Sequence, residues 1–280
     1  MSGKLVRPQM IATDLDGTSL YDGIHMTPRL FDMFCRAQAK GVQVVIVTGR
    51  SSVYLREMEM PDYRYAVCNN GVIVMDMLEN KPVYKDLFTP EEAILAWEII
   101  KPYNAYMELA VENRLVIDEH SLSIYPGFDP PLLPHMRKYI AEGKMTVVED
   151  MDAFIRAHAD EVEKFTIPRN GYEITEGIRR DLDATGLFRT RAAEDIDVMI
   201  IPKRTHKGMA LLGLADYLGI PHEAVYAFGD GGNDLQMLKS AGCGVAMGNA
   251  PDFVKEQADY VCGTCAEDGL AEFIESNFDI

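Results

Sequence analysis

The chain has 280 residues, 48% of them hydrophobic, with a mean hydropathy near zero and 44 acidic against 27 basic side chains, for a net charge of −17. That length can bury one large core or two moderate ones, and so acidic a surface argues against nucleic acid or an anionic membrane as the main partner, though not against a phosphorylated small molecule held in one locally cationic cleft. No apolar run approaches the roughly 18 residues of a membrane span, the opening MSGKLVRPQM has no continuous apolar segment of a signal peptide, and five scattered cysteines (Cys35, Cys68, Cys243, Cys262 and Cys265) read as a reduced, cytoplasmic protein.

Residues 10–13 form a short apolar run that ends in acidic residues and glycine, the pattern of a buried strand. Thr27 followed by Pro28 predicts a helix start, the apolar spacing of Leu30, Phe31, Phe34 and Ala37 carries the helix to Lys40, and Gly41 closes it. A β-branched run at 42–47 predicts a second strand, residues 65–68 a third, and 72–75 another after the turn at 69–71. Alternation of strand and helix predicts a parallel α/β sheet. From about residue 84 the pattern changes. Thr89 to Glu92 reads as a capping box opening a helix to about Ile100. Strand-like runs follow at 105–111 and 114–118, a four-proline loop at 126–134, a strand at 162–167, a helix at 172–184, and a hairpin from 187–191 and 196–201. Adjacent strands with few helices between them predict an antiparallel α+β unit. The α/β alternation then returns, with helices at 207–218 and 234–240 and strands at 224–228 and 243–247. The whole reads as one doubly wound, Rossmann-like domain interrupted by an insertion.

Ligands of open parallel sheets bind at the carboxyl ends of strands, and four polar groups fall there. In DLDGT at 14–18, Asp14 and Asp16 share one face of a strand while Leu15 packs the other way. A magnesium ion would keep Asp14 ionised as a nucleophile while Asp16 holds a proton; the plainer alternative is an acidic turn. Thr48-Gly49-Arg50 offers a hydroxyl and an amide as a phosphate cradle, or simply a capped helix start. Lys207 opens a helix against the dipole preference, which a phosphate would explain, although a solvated helix end is the commoner case. The run FGDGGND at 228–234 places Asp230 just past a strand with Asn233 and Asp234 starting a helix, suited to magnesium or to an N-cap cluster. Cys262 and Cys265 read as small residues in a turn rather than a redox or zinc pair.

These motifs resemble the haloacid dehalogenase-like superfamily, in the Cof-type branch with a large α/β cap inserted after the third core strand. The resemblance spans nearly the whole chain: DLDGT at 14–18, VTGR at 47–50, NNG at 69–71, HKG at 206–208, FGDGGND at 228–234 and AMGNAP at 246–251. Ser19 departs from it, standing where an apolar residue is common. The resemblance implies a Mg²⁺-dependent phosphatase of small phosphorylated metabolites, sugar phosphates or similar, acting through an aspartyl phosphate. Asp14 would be nucleophile and metal ligand. Asp16 would be general acid and base and give its carbonyl to the metal, with Asp230 the main acidic ligand. Thr48, Gly49, Lys207 and Asn233 would hold the phosphoryl group, and Thr18 and Asp234 would brace the loops. The core would comprise residues 1–83 and 201–280, and the cap, residues 84–200, would close over the cleft and set specificity; Tyr125, Lys164 and Arg169 there could reach a polar substrate. A phosphomutase or phosphotransferase, or a phosphometabolite sensor, would use the same site. A monomer or small homo-oligomer is expected.

Overall fold

The computed structural model describes residues 5–124, 132–168, 171–193 and 197–280, and within it the chain divides into two compact units, 1–85 with 205–280 and 86–204. The first unit opens with β1 (Met10–Thr13), α1 (Pro28–Ala39), β2 (Gln43–Val47), α2 (Ser52–Leu55), β3 (Tyr65–Cys68), β4 (Ile73–Asp76) and β5 (Lys81–Lys85). The second contains α3 (Pro90–Ile100), β6 (Glu108–Val111), β7 (Arg114–Asp118), α4 (Glu119–Ile124), α5 (Leu132–Ala141), β8 (Met145–Val148), α6 (Met151–Ala157), β9 (Val162–Pro168), α7 (Tyr172–Asp183), β10 (Phe188–Ala193) and β11 (Asp197–Pro202). The chain then returns to the first unit with α8 (Lys207–Leu218), β12 (Val225–Gly229), α9 (Leu235–Ser240), β13 (Cys243–Ala246), α10 (Asp252–Lys255), β14 (Tyr260–Val261) and α11 (Gly269–Asn277).

The first unit is built on an eight-stranded sheet in the order β14-β13-β12-β1-β2-β3-β4-β5. Its strands run parallel from β14 to β3, and the β3-β4-β5 edge is antiparallel. Both faces are covered, as near-continuous apolar strands require. Met10 and Ala12 pack with Ala210, Leu211 and Leu214 of α8, while Ile11 between them packs with Leu30 and Phe34 of α1 and Ile274 of α11. The helix ends follow the local chemistry: Thr27 Oγ1 accepts from the Leu30 N–H at 3.2 Å with Pro28 next to it, and Gly41 adopts a positive φ just past α1. Two further strands, β4 and β5, stand between the third parallel strand and the insertion.

The second unit has its own six-stranded sheet, in the order β10-β11-β9-β6-β7-β8. Its neighbours are antiparallel except for the parallel pair β7 and β8. Phe165, Leu109 and Ile200 pack with Trp97 and Ile100 of α3, Ile155 of α6 and Ile178 of α7 in a separate core. The capping box at Thr89 is formed, its hydroxyl accepting from the Glu92 N–H and the Glu92 carboxylate accepting from the Thr89 N–H. The proline-rich stretch 126–134 is only partly a loop, because α5 begins at Leu132; residues 126–131 lie outside the described residues. Among the described residues no helix is long and apolar enough to cross a membrane.

Candidate active site

The carboxyl ends of β12, β1 and β2 lie side by side, and each delivers part of one motif. Asp14 follows β1 directly, its N–H donating to the Phe228 carbonyl at 3.0 Å and so prolonging the β1–β12 ladder. Thr48 follows β2, its N–H donating to the Val67 carbonyl at 2.8 Å while its own carbonyl accepts from Asn70 at 2.9 Å. Gly229 ends β12 and Asp230 follows it. The turn after β3 approaches the start of α8 so closely that a Cβ on Gly71, whose φ is +104°, would lie 2.5 Å from the His206 carbonyl oxygen. Glycine at this point lets the amino end of α8 come near the sheet. His206 caps α8, its Nδ1 accepting from the Met209 N–H at 3.1 Å.

Lys207, the first residue of α8, is entirely buried. Its Nζ donates to Asp14 Oδ1 at 2.5 Å and to Asp234 Oδ1 at 2.6 Å. Asp234 Oδ2 accepts from the backbone N–H groups of Asp230 at 3.1 Å and Gly231 at 2.8 Å, so this carboxylate fixes the loop and the lysine together. Thr18 Oγ1 donates to Asp230 Oδ1 at 3.1 Å. The carboxylates of Asp14, Asp230 and Asp234 each offer an oxygen within 4.8 Å of the others. Among the described residues, Asp14 Oδ2 has no protein donor.

Three carboxylates around one ammonium leave an excess of negative charge in a dry corner. Asp14 is 6% exposed. Burial pushes its carboxyl up to about 7; Lys207 opposes this, while Asp234 and Asp230 add to it. Burial acts to lower the Lys207 ammonium, but Asp14 and Asp234 outweigh it and hold the group above the usual lysine value. Hard oxygen donors with surplus negative charge are the setting a divalent cation such as Mg²⁺ requires, so the residues fit a metal at this corner.

Asp16 stands elsewhere. Its side chain is 53% exposed, and its carboxylate is absent from the three-acid cluster. Arg50 holds it in a fork, Nε donating to Oδ2 at 3.0 Å and Nη2 to Oδ1. The expectation that Asp14 and Asp16 lie on one strand face is corrected: β1 ends at Thr13, and the turn after it buries Asp14 and Leu15 while leaving the Asp16 side chain half in solvent. Thr48 Oγ1 accepts from the Arg50 N–H at 3.1 Å, and the Asn233 amide donates to Asn70 Oδ1 at 3.1 Å. Gly49 lies against the same Asn70 side chain.

Two residues escaped the sequence reading. For Arg50 the sequence offers only its place at the end of the VTGR motif. Asn249 donates through Nδ2 to the Gly17 carbonyl at 2.8 Å and to Asp230 Oδ2 at 3.4 Å, and accepts from the Cys265 N–H at 2.9 Å. The run AMGNAP was the only signal for it. Ser19, which departs from the family pattern, is buried with its Oγ 2.6 Å from Thr13 Oγ1, so its hydroxyl has a partner. The thiols of Cys262 and Cys265 are free, and burial pushes them up to about 12 and about 11, unlike reactive thiolates. Lys164 is buried in β9, while Tyr125 and Arg169 lie outside the described residues.

Comparison with known proteins places this arrangement. The family described as haloacid dehalogenase-like hydrolase matches residues 11–274. A 5-amino-6-(5-phospho-D-ribitylamino)uracil phosphatase of Bacillus subtilis is 30% identical, over 98% of this chain and 99% of the relative. A pyridoxal phosphate phosphatase of Escherichia coli is 27% identical, over 96% of this chain and 98% of its own. The crystal structure of a haloacid dehalogenase-like hydrolase from Bacteroides thetaiotaomicron matches with a TM-score of 0.77 at 26% identity, covering 97% of this chain and all of the other.

Proposed function

The chain belongs to the haloacid dehalogenase-like hydrolases, and from that premise we propose that it is a cytoplasmic, magnesium-dependent phosphatase that releases phosphate from small phosphorylated metabolites through an aspartyl phosphate on Asp14. The observation that carries the proposal is the buried Lys207 bridging Asp14 and Asp234 beside Asp230. A salt-bridged lysine with no exposure contributes little net stability once desolvation is counted, whereas a phosphoryl group arriving beside Asp14 would gain directly from that charge. The two bacterial relatives are named for phosphorylated small molecules, which supports the substrate class.

In this mechanism Lys207 fixes one oxygen of Asp14 and leaves Oδ2 to attack phosphorus. The bond to the leaving oxygen breaks with its electron pair, and Asp16 gives that oxygen a proton. Asp16 takes up this role by exchanging the Arg50 fork for the substrate. It then accepts a proton from water, which attacks the aspartyl phosphate, releases inorganic phosphate and restores Asp14. Thr48, the Gly49 amide, Lys207 and Asn233 orient the phosphoryl oxygens, while Thr18 and Asp234 hold the loops in register. Mg²⁺, held by the Asp14 and Asp230 carboxylates and the Asp16 carbonyl, would offset the charge on the phosphoryl oxygens. Residues 86–204 would choose the substrate.

The direct test is phosphate release from a generic aryl phosphate with and without Mg²⁺, beside Asp14→Asn. Metal-dependent release that the variant abolishes is expected. Equal activity in the variant would remove Asp14 from the nucleophile's role.

A further inference from the structure

The loop 21–25 is pinned from both sides. Asp22 Oδ1 accepts from the N–H groups of Ile24 at 3.0 Å and His25 at 2.7 Å, Asp22 Oδ2 meets His25 Nδ1 at 2.7 Å, and the Tyr21 N–H donates to the His25 carbonyl at 3.2 Å. Arg50 adds the link to the site: Nη2 donates to the Gly23 carbonyl at 2.7 Å while the same guanidinium holds Asp16. Gly23 has a φ of +79°, and a Cβ there would stand 3.6 Å from Asp16 Oδ1. The loop backbone therefore flanks the carboxylate that, in the phosphatase reading, serves the leaving oxygen. In that reading, the group attached to that oxygen has this loop as a neighbour.

Two large apolar side chains bracket Gly23 and remain in solvent, Tyr21 at 52% and Ile24 at 65% exposure. The Tyr21 ring is stacked with His25 at a centroid separation of 6.4 Å. Single exposed apolar residues are ordinary on a protein surface. These two differ because they sit on a segment already ordered by hydrogen bonds next to Asp16, so a ligand contacting them would lose little to ordering. Both Asp22 oxygens are engaged within the loop, which leaves its apolar and aromatic surfaces as the main offer to a ligand.

We infer that loop 21–25 contacts the leaving group, and that Tyr21 and Ile24 favour a planar, apolar one, an aromatic or heteroaromatic alcohol, over an open polyol. The inference rests on the phosphatase reading. Its test compares kcat/KM for benzyl phosphate and glycerol phosphate, whose leaving oxygens have similar basicity, using the full chain with Mg²⁺. The benzyl-to-glycerol ratio should fall about tenfold in Tyr21→Ser and in Ile24→Ser. Leu78→Ser, another exposed apolar position in the turn between β4 and β5, should leave the ratio unchanged. Because it is a ratio, it does not depend on the fraction of folded enzyme. A ratio within about twofold of the parent in both loop variants overturns the inference and leaves the phosphatase reading intact. A parent chain that hydrolyses neither ester overturns both.

Discussion

Asp14 and Asp16 are separated by one residue and live in opposite surroundings. Asp14 is nearly dry, tied to a lysine with no exposure and crowded by two further acids. Asp16 is half in solvent, gripped by an arginine whose own side chain is partly exposed. Burial makes the first corner rigid and energetically expensive, because each charge there depends on the others. Exposure makes the second corner cheap to rearrange, since a solvated ion pair contributes little. In the proposed mechanism the nucleophile must hold one geometry and the acid–base group must move, and the two environments divide those duties.

The largest break in this comparison should come from Asp14→Asn, with kcat reduced on the order of 10⁴-fold or more, because no other group at the dry corner replaces the nucleophile. Stopped assays for released phosphate would measure it. Asp16→Asn should lower kcat by roughly 10²- to 10⁴-fold while its unfolding midpoint in urea stays close to the parent's, as expected of a half-exposed side chain. A large stability loss there would contradict the picture of a loosely held corner. Lys207→Met should be felt in stability as well as in activity, destabilising the metal-free protein by about 3–5 kcal/mol in urea titrations, since Asp14 and Asp234 would be left without their partner. Little change would mean that the buried pair is not the keystone its geometry suggests.

The smallest effect sharpens the comparison through pH. With metal removed, the folded chain holds the Asp14 proton more tightly than the unfolded chain, since burial raises this carboxyl from 3.8 to about 7 against the pull of Lys207. Its contribution to stability is therefore full below about pH 4 and is lost as pH rises through about 7. In chelator, the Tm of the parent should decline relative to that of Asp14→Asn across this window, and Mg²⁺ should remove the decline. Parallel curves would argue against the upward shift.

Much of this was legible in the chain. Short apolar runs ending in acid or glycine located the strand ends, and α8 began at Lys207 as its spacing predicted. The conflict between a lysine and the amino end of a helix pointed to Lys207, though not to its complete burial, which depends on α9, β1 and the 69–71 turn meeting around it. Contacts between distant segments stayed hidden: Arg50 to Asp16, Asn249 to Gly17 and Asn233 to Asn70 leave no periodic trace. The edge strand β5 leaves no strand signal in the sequence for another reason. Its sequence KPVYK is half-exposed and carries a proline and two lysines, devices that protect an edge and erase the apolar alternation that would announce a strand.

The position of β1 in the sheet has a consequence for biosynthesis. Its two neighbours are β2, which leaves the ribosome soon after it, and β12, which is made only at residues 225–229. At roughly 5–20 residues per second, β1 waits on the order of 10–40 seconds with one side unpaired. An unpaired, mostly apolar strand, buried at every position in the finished fold, is a template for association with other nascent chains. The 86–204 unit has its own core and can fold during that interval. The Asp14–Lys207 contact can therefore form only after most of the polypeptide has been made, so a chain cut short within the insertion would carry the nucleophile without its lysine and a sticky edge in place of a site.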